Sequence, residues 1–162
     1  MYAKIVSKLD DLKRTIATME SCTGGALASE ITNNVGASEV LKFSAVTYSN
    51  EYKIKMGVSA EVIDRYSVYS METAVEMAKN ISNFAGADYG VGITGKINTS
   101  DPANRHGEDD IVYVAIYDKQ TGDYTKTTIQ VPHDKTRKEV KEYIVEYIGN
   151  ILLELLEDAK LA

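Results

Sequence analysis

Ile5, Val6, Leu9 and Leu12 recur at helical spacing, which predicts an amphipathic helix over residues 3–13. The apolar run at 14–19 reads as a first strand, and it breaks into the polar turn Glu20-Ser21-Cys22-Thr23-Gly24-Gly25. Helical spacing resumes at Ala26 and is expected to stop near Asn33, Asn34 or Gly36. Residues 42–48 read as a second strand, followed by a short helix from Asn50 to Gly57 and another over 60–65 capped by Ser59. Ser70 caps a longer helix whose apolar face carries Met71, Ala74, Val75, Ala78, Ile81 and Ala85. Residues 88–94 form a third strand whose glycines point to close backbone packing. The polar stretch from Lys96 to Asp110 is long for a connection, which marks it as mobile or as part of a site. Strands at 111–118 and 124–131 flank a hairpin turn over 119–123. The last helix, about 135–158, turns Val140, Ile144, Ile148, Ile151 and Leu155 to the core, and Thr136 and Glu139 have capping-box spacing.

Strands that alternate with helices and end in a hairpin predict a three-layer α/β/α sandwich with a mixed sheet. Right-handed crossovers make the first three strands parallel, so their C-terminal ends share one edge. Ser21, Tyr48 and Thr94 all fall on that edge, where open α/β sheets bind ligands. No internal repeat or low-complexity linker divides the chain, and its 162 residues are read as one domain, 1–162.

Composition narrows the function. A net charge of −6 argues against a general nucleic-acid binder and leaves room for a local phosphate site. A single cysteine permits no internal disulfide and fits a reducing cytoplasm. No run is apolar enough to span a membrane, so no membrane partner is expected. Two histidines and one cysteine argue against a structural zinc site.

The turn after the first strand carries the candidate chemistry. Its hydroxyls and backbone N–H groups sit at a helix N-terminus, which stabilises an anion or a developing oxyanion. The same residues also make an ordinary helix cap. As a nucleophile Ser21 needs a base. His106 and His133 read as solvated loop residues, which leaves lysine. Tyr48 and Lys53 stand five residues apart across a strand-to-helix turn, close enough to share a cleft. An ordinary lysine, with a pKa of about 10.4, is protonated at neutral pH, so Lys53 needs burial or a neighbouring cation to act as a base. Otherwise it is one solvated lysine among Lys42, Lys53 and Lys55, and Tyr48 is a rim aromatic. Cys22 is either an alternative nucleophile or a small buried residue.

Glu20-Ser21-Cys22-Thr23-Gly24-Gly25, paired with Val46-Thr47-Tyr48-Ser49-Asn50-Glu51-Tyr52-Lys53, resembles the CinA C-terminal domain family, the nicotinamide-nucleotide amidases. Val35-Gly36-Ala37-Ser38, Gly57-Val58 and Gly86-Ala87-Asp88-Tyr89 extend the resemblance in order over nearly the whole chain. At this length it is closest to the stand-alone form, without the N-terminal molybdopterin-binding-like domain that some members carry. The resemblance implies an anticodon-binding-domain-like sandwich, with a five-strand mixed sheet of order 2-1-3-4-5 and strand four antiparallel. It implies hydrolysis of nicotinamide mononucleotide to nicotinate mononucleotide and ammonia, in the cytoplasm, with no cofactor and no metal. Ser21 takes the role of nucleophile, Lys53 of general base, and Tyr48 of proton-transfer or orienting group. Cys22, Thr23, Gly24, Gly25, Asn50, Thr94 and Gly95 take the substrate-binding positions. The expected partner is a small pyridine nucleotide, and a homo-oligomer is expected from the family's habit and the 11 tyrosines.

The chain departs from the family after the third strand. The family's G-I-A-G-P-x-G-G is replaced by Ile93-Thr94-Gly95-Lys96-Ile97-Asn98-Thr99-Ser100-Asp101-Pro102, of which Thr94-Gly95 keep the pattern. Glu108, Asp109 and Asp110 add negative charge near an expected phosphate. The family's G-D-R before the last helix becomes His133-Asp134-Lys135-Thr136-Arg137, where Lys135 or Arg137 remains to reach a phosphate. These changes open a second reading: a catalytically altered or inactive member that binds a nucleotide or a protein partner.

Overall fold

Burial on both faces separates the inner strands from the edges. Every residue of β1 (Ile16–Glu20) and β3 (Tyr89–Gly95) is buried, as strands covered by helices on both sides must be. In the computed structural model, which describes residues 1–97 and 110–159, these two strands lie side by side at the centre of the sheet. β2 (Ala45–Val46) pairs parallel to the outer edge of β1. β4 (Ile111–Asp118) and β5 (Tyr124–Gln130) follow antiparallel beyond β3. The order is β2-β1-β3-β4-β5, with β1 parallel to both neighbours: the parallel strands are those the residue pattern predicts, and the order is the one the family resemblance implies.

Side-chain alternation sorts the helices into two layers. Ile16 of β1 and Tyr89, Val91 and Ile93 of β3 face a core shared with α1 (Tyr2–Asp11), α2 (Ala26–Thr32) and α7 (Arg137–Asp158). Ala17 and Met19 face the other way, toward α6 (Met71–Ala85). Gly90 and Gly92 also face α6, and there the lack of a side chain matters: a Cβ would come within 2.0 Å of Ala78 O at Gly90 and 2.2 Å of Ala74 O at Gly92. The close packing expected of these glycines is thus helix backbone on strand backbone.

The differences from the sequence reading have local causes. The strand expected over 42–48 has only Ala45 and Val46 in the ladder. Ser44 Oγ accepts the Thr18 N–H at 3.0 Å in place of a backbone carbonyl, and the Phe43 ring turns to Phe84 of α6, 5.1 Å between centroids. A helix was not expected between Gly36 and Leu41, yet α3 (Ala37–Val40) forms there, entered through Gly36 at φ 88°. The two short helices are α4 (Asn50–Lys55) and α5 (Ala60–Tyr66), capped by Ser49 and Ser59. On α6 the buried stripe includes Met77, while Met71, Val75 and Ala85 flank it. On α7, Leu152 and Leu156 are buried, and Ile151 and Leu155 pack beside them. That helix begins at Arg137, after a capping box between Thr136 and Glu139. Most of the 96–110 stretch lies outside the described residues. No helix among the described residues is long and apolar enough to cross a membrane.

Gly92→Ala is expected to cost the upper end of roughly 1–3 kcal/mol, because backbone cannot step aside for the new methyl group. Gly86→Ala, at φ 63° with no atom near its Cβ position, should cost about 1 kcal/mol from backbone conformation alone. Urea midpoints of the two variants measure the difference.

Candidate active site

Position 21 is where β1 leaves the sheet. The Ser21 N–H still donates to Ile93 O of β3 at 3.1 Å, so the residue is held by the ladder although its side chain is free of it. On the other flank the Thr47 N–H donates to Glu20 O at 2.8 Å, which ties the end of β2 to the same point. α4 starts two residues after Tyr48, with Ser49 Oγ accepting the Tyr52 N–H, and its one buried residue is Lys53. The Lys53 side chain, 2% exposed, reaches Ser21 Oγ at 3.0 Å and Thr47 O at 2.7 Å. A 3.0 Å separation serves proton transfer in either direction: the ammonium donates to the hydroxyl oxygen, and the neutral amine accepts its proton. Among the described residues the buried Thr47 Oγ1 has no hydrogen-bond partner, a defect of the kind that collects at working sites.

The turn itself is organised by Glu20, which the sequence reading quoted without giving it a role. Its carboxylate is fully buried and accepts from Thr18 Oγ1 (2.9 Å), Thr23 Oγ1 (2.7 Å), Leu27 N (3.0 Å) and Ala28 N (2.9 Å). It therefore caps α2 from inside and favours its positive end. Two of the N–H groups at that helix end are thus unavailable to a ligand. Gly24 N and Ala26 N donate to Ser21 O and Thr23 O, which leaves the N–H groups of Cys22, Thr23 and Gly25 without a backbone acceptor among the described residues. Gly24 (φ 60°) and Gly25 (φ 94°) take left-handed conformations that close the turn. An acidic residue ending an otherwise apolar strand, with threonines two before and three after it, was the available signal for Glu20.

The other predicted residues separate. Cys22 is buried, and desolvation pushes its thiol up to about 12 against the opposing pull of Lys53, so it is a small core residue and stays protonated. The Thr23 hydroxyl is taken by Glu20. The Thr94 hydroxyl, fully buried, donates to Val68 O at 2.7 Å and braces the turn before α6. Gly95 pairs with Val112 of β4, and a Cβ there would come within 2.5 Å of Ile111 O, so strand packing requires the glycine. Asn50 opens α4 and is half-buried. Tyr48 does not join Ser21 and Lys53: it is 63% exposed, and its hydroxyl accepts from Arg137 Nη2 at 3.1 Å. Arg137 also donates through Nη1 to Ile97 O at 2.7 Å. Lys96, given no role in the sequence reading, is buried with its ammonium 5.0 Å above the Tyr69 ring. His133 is solvated as read, its side chain 77% exposed, and it pairs with buried Asp110 at 2.8 Å. His106, Glu108 and Asp109 lie outside the described residues. Among the described residues no three His, Cys, Asp or Glu side chains converge as a metal site would require.

The family model for the CinA C-terminal domain matches residues 1–156. The chain belongs to that family. It is 34% identical over 155 residues to a CinA-like protein of Kosmotoga olearia, covering 94% of this chain and 37% of that one. It is 44% identical over 96 residues to a CinA-like protein of Desulfovibrio desulfuricans, covering 59% of this chain and 23% of that one. The chain thus spans little more than a third, or less, of the length of these curated relatives. The crystal structure of a competence or damage-inducible protein from Enterobacter asburiae is similar at a TM-score of 0.85 and 27% identity, over 96% of this chain and 98% of that one.

Glu20→Gln is expected to cost about 2–3 kcal/mol, since the amide loses the charge and turns donors toward donors. Chemical denaturation measures it. Cys22 should resist alkylation by iodoacetamide in the native protein at pH 8 and react only on unfolding. Native labelling at the rate of a free thiol would contradict the burial.

Proposed function

We propose that this CinA-family domain is a serine–lysine amidase that converts nicotinamide mononucleotide to nicotinate mononucleotide and ammonia. The 3.0 Å contact between Ser21 Oγ and buried Lys53 Nζ carries the reading. An unassisted serine hydroxyl is a poor nucleophile, and a lysine held at this distance is the base it needs. In the proposed sequence the neutral Lys53 amine removes the Ser21 proton as Oγ attacks the carboxamide carbon. The resulting oxyanion is met by backbone N–H groups at Cys22 and Thr23. Collapse breaks the C–N bond, and the Lys53 proton passes to the departing nitrogen, which leaves as ammonia. Water then attacks the acyl ester on Ser21 as Lys53 takes a proton from it; the C–Oγ bond breaks, Lys53 returns that proton to Ser21 Oγ, and the acid product leaves as its carboxylate after giving its own proton to solvent. Tyr48 stands at the rim in the role of orienting group, its phenol oxygen engaged by Arg137.

The position of Tyr48 is also the observation that favours a second reading, a nucleotide-binding relative without amidase activity. No hydrogen bond among the described residues joins its hydroxyl to Ser21 or Lys53, although Tyr48 belongs to the resembling motif. Binding of nicotinate mononucleotide without turnover of the amide would select that reading.

Ammonia release from nicotinamide mononucleotide, measured for wild type, Ser21→Ala and Lys53→Met, is the test. The expected result is activity in wild type and a fall of at least about 10³-fold in either variant, the scale at which loss of one member of a nucleophile–base pair acts. Because the amine must be unprotonated, wild-type kcat/KM should rise with pH along its acidic limb. Full activity in Ser21→Ala would sink the mechanism.

A further inference from the structure

Thr47, Ser21 and Thr94 form one row across the parallel strands. The ladder pairs Glu20 with Val46 on one side and with Ile93 on the other, and these three residues come next. The Thr47 N–H still donates to Glu20 O at 2.8 Å, and the Ser21 N–H to Ile93 O at 3.1 Å. Alternation sends the three side chains to one face of the sheet. Two residues earlier, Ala45 and Met19 pack on the α6 side. Val46 lies on the opposite side, with Cγ2 3.3 Å from where a Cβ of Gly25 would stand. The row therefore carries three hydroxyls on the α6 side. Thr94 Oγ1 donates to Val68 O at 2.7 Å, and Ser21 Oγ stands 3.0 Å from Lys53 Nζ. Thr47 Oγ1 is buried and has no hydrogen-bond partner among the described residues.

An idle buried hydroxyl destabilises a fold, and valine fills the same volume without it. Solvent does not reach Thr47 Oγ1, so a partner for it has to come from within the site. Lys53 Nζ already touches this residue, through the Thr47 carbonyl at 2.7 Å. The reaction proposed above changes what that amine can bond to. When the acyl ester forms, Ser21 Oγ exchanges its O–H for an O–C bond and can no longer donate. Lys53 is neutral at that stage, because its proton has left with ammonia. Its lone pair has lost the Ser21 O–H and must next meet water.

We propose that Thr47 is the positioning residue of this second half of the reaction. On the acyl-enzyme its hydroxyl oxygen accepts one N–H of Lys53 while its carbonyl keeps the other. The two bonds use both N–H groups of the neutral amine and turn the lone pair away from Thr47, toward the acyl carbon. Lys53 then takes a proton from the water whose oxygen bonds to that carbon, and returns it to Ser21 Oγ as the C–Oγ bond breaks. The hydroxyl that is idle in the resting protein is thus used in the acylated one. This inference rests on the amidase reading and deepens it.

The test uses the whole chain with nicotinamide mononucleotide, as wild type, Thr47→Val and Thr47→Ser. Ammonia release gives turnover, and intact mass after acid quench gives the fraction acylated on Ser21. Turnover divided by that fraction is the rate constant of ester hydrolysis. In Thr47→Val it should fall at least about tenfold, the scale of one hydrogen bond, and the acylated fraction should rise. The variant's kcat/KM, which reports steps up to release of ammonia, should stay at the wild-type value. Thr47→Ser, which keeps the hydroxyl, should hydrolyse the ester near the wild-type rate. The urea midpoint of Thr47→Val should equal or exceed that of wild type. An unchanged hydrolysis rate in Thr47→Val overturns the proposal, as does an equal loss in kcat and kcat/KM, which marks a general disturbance of the Ser21–Lys53 pair. A lowered urea midpoint also overturns it, because the hydroxyl would then be bonded in the resting protein. A wild type that releases no ammonia removes the amidase reading and this step with it, whereas wild-type turnover with an unaltered Thr47→Val removes the Thr47 proposal alone.

Discussion

A buried carboxylate holds this site together. Glu20 has no exposed surface, and a charge in that position is tolerable only when its lone pairs are filled. Four donors fill them, two hydroxyls and two N–H groups of α2. These bonds fix how the chain turns out of β1, because one anchor is Thr23 inside the turn and two lie in the helix beyond it. Strand alternation then does the rest. Glu20 points to the α2 side, so Ser21 points to the opposite side, where α4 delivers Lys53. The carboxylate that stabilises the turn thus lies across the strand from the lysine, and the two charges do not meet in an ion pair among the described residues.

The sheet was legible because its signals are local and redundant. β3 reads as a strand from its apolar run, and Gly90 and Gly92 announce the helix pressed on them. The capping box of α7 is visible as Thr136 and Glu139 before the helix exists. What was not legible depends on partners distant in sequence. β2 shrinks to two residues because Ser44, a side chain, takes a backbone role against Thr18. Lys53 looked no different from Lys42 or Lys55 until the fold buried it beside a residue 32 positions earlier. Arg137 could not be placed over the site from spacing, since its partners are 89 and 40 residues away. Family motifs brought Ser21 and Lys53 forward as a pair, and periodicity alone would have left both as surface polar groups.

The residues around the turn divide by what holds them. Thr23, Thr94 and Gly95 stand at the expected edge, yet each is committed to the scaffold: Thr23 to Glu20, Thr94 to the turn before α6, Gly95 to β4. They shape the site without facing it. Tyr48 and Arg137 are exposed and bonded to each other, so they form the solvent-facing rim of this edge. A nucleophile gains from rigidity and a substrate clamp from adjustment. In the proposed mechanism the buried Ser21–Lys53 pair meets the first need.

This division also explains how the chain can carry a rewritten segment after β3 and keep the candidate catalytic pair. Ser21 is held by Ile93 O and by the Glu20 network, and Lys53 by α4 and Thr47 O. All of these anchors lie before residue 94. These anchors of the 3.0 Å contact thus come from the part of the chain that precedes the rewritten segment. Beyond Gly95 the described groups are Lys96, placed over Tyr69, and Ile97, whose carbonyl receives Arg137. The described residues of that segment thus reach the rim of the edge, at Tyr69 and Arg137, while the anchors of the Ser21–Lys53 pair come from the centre of the sheet and from α4.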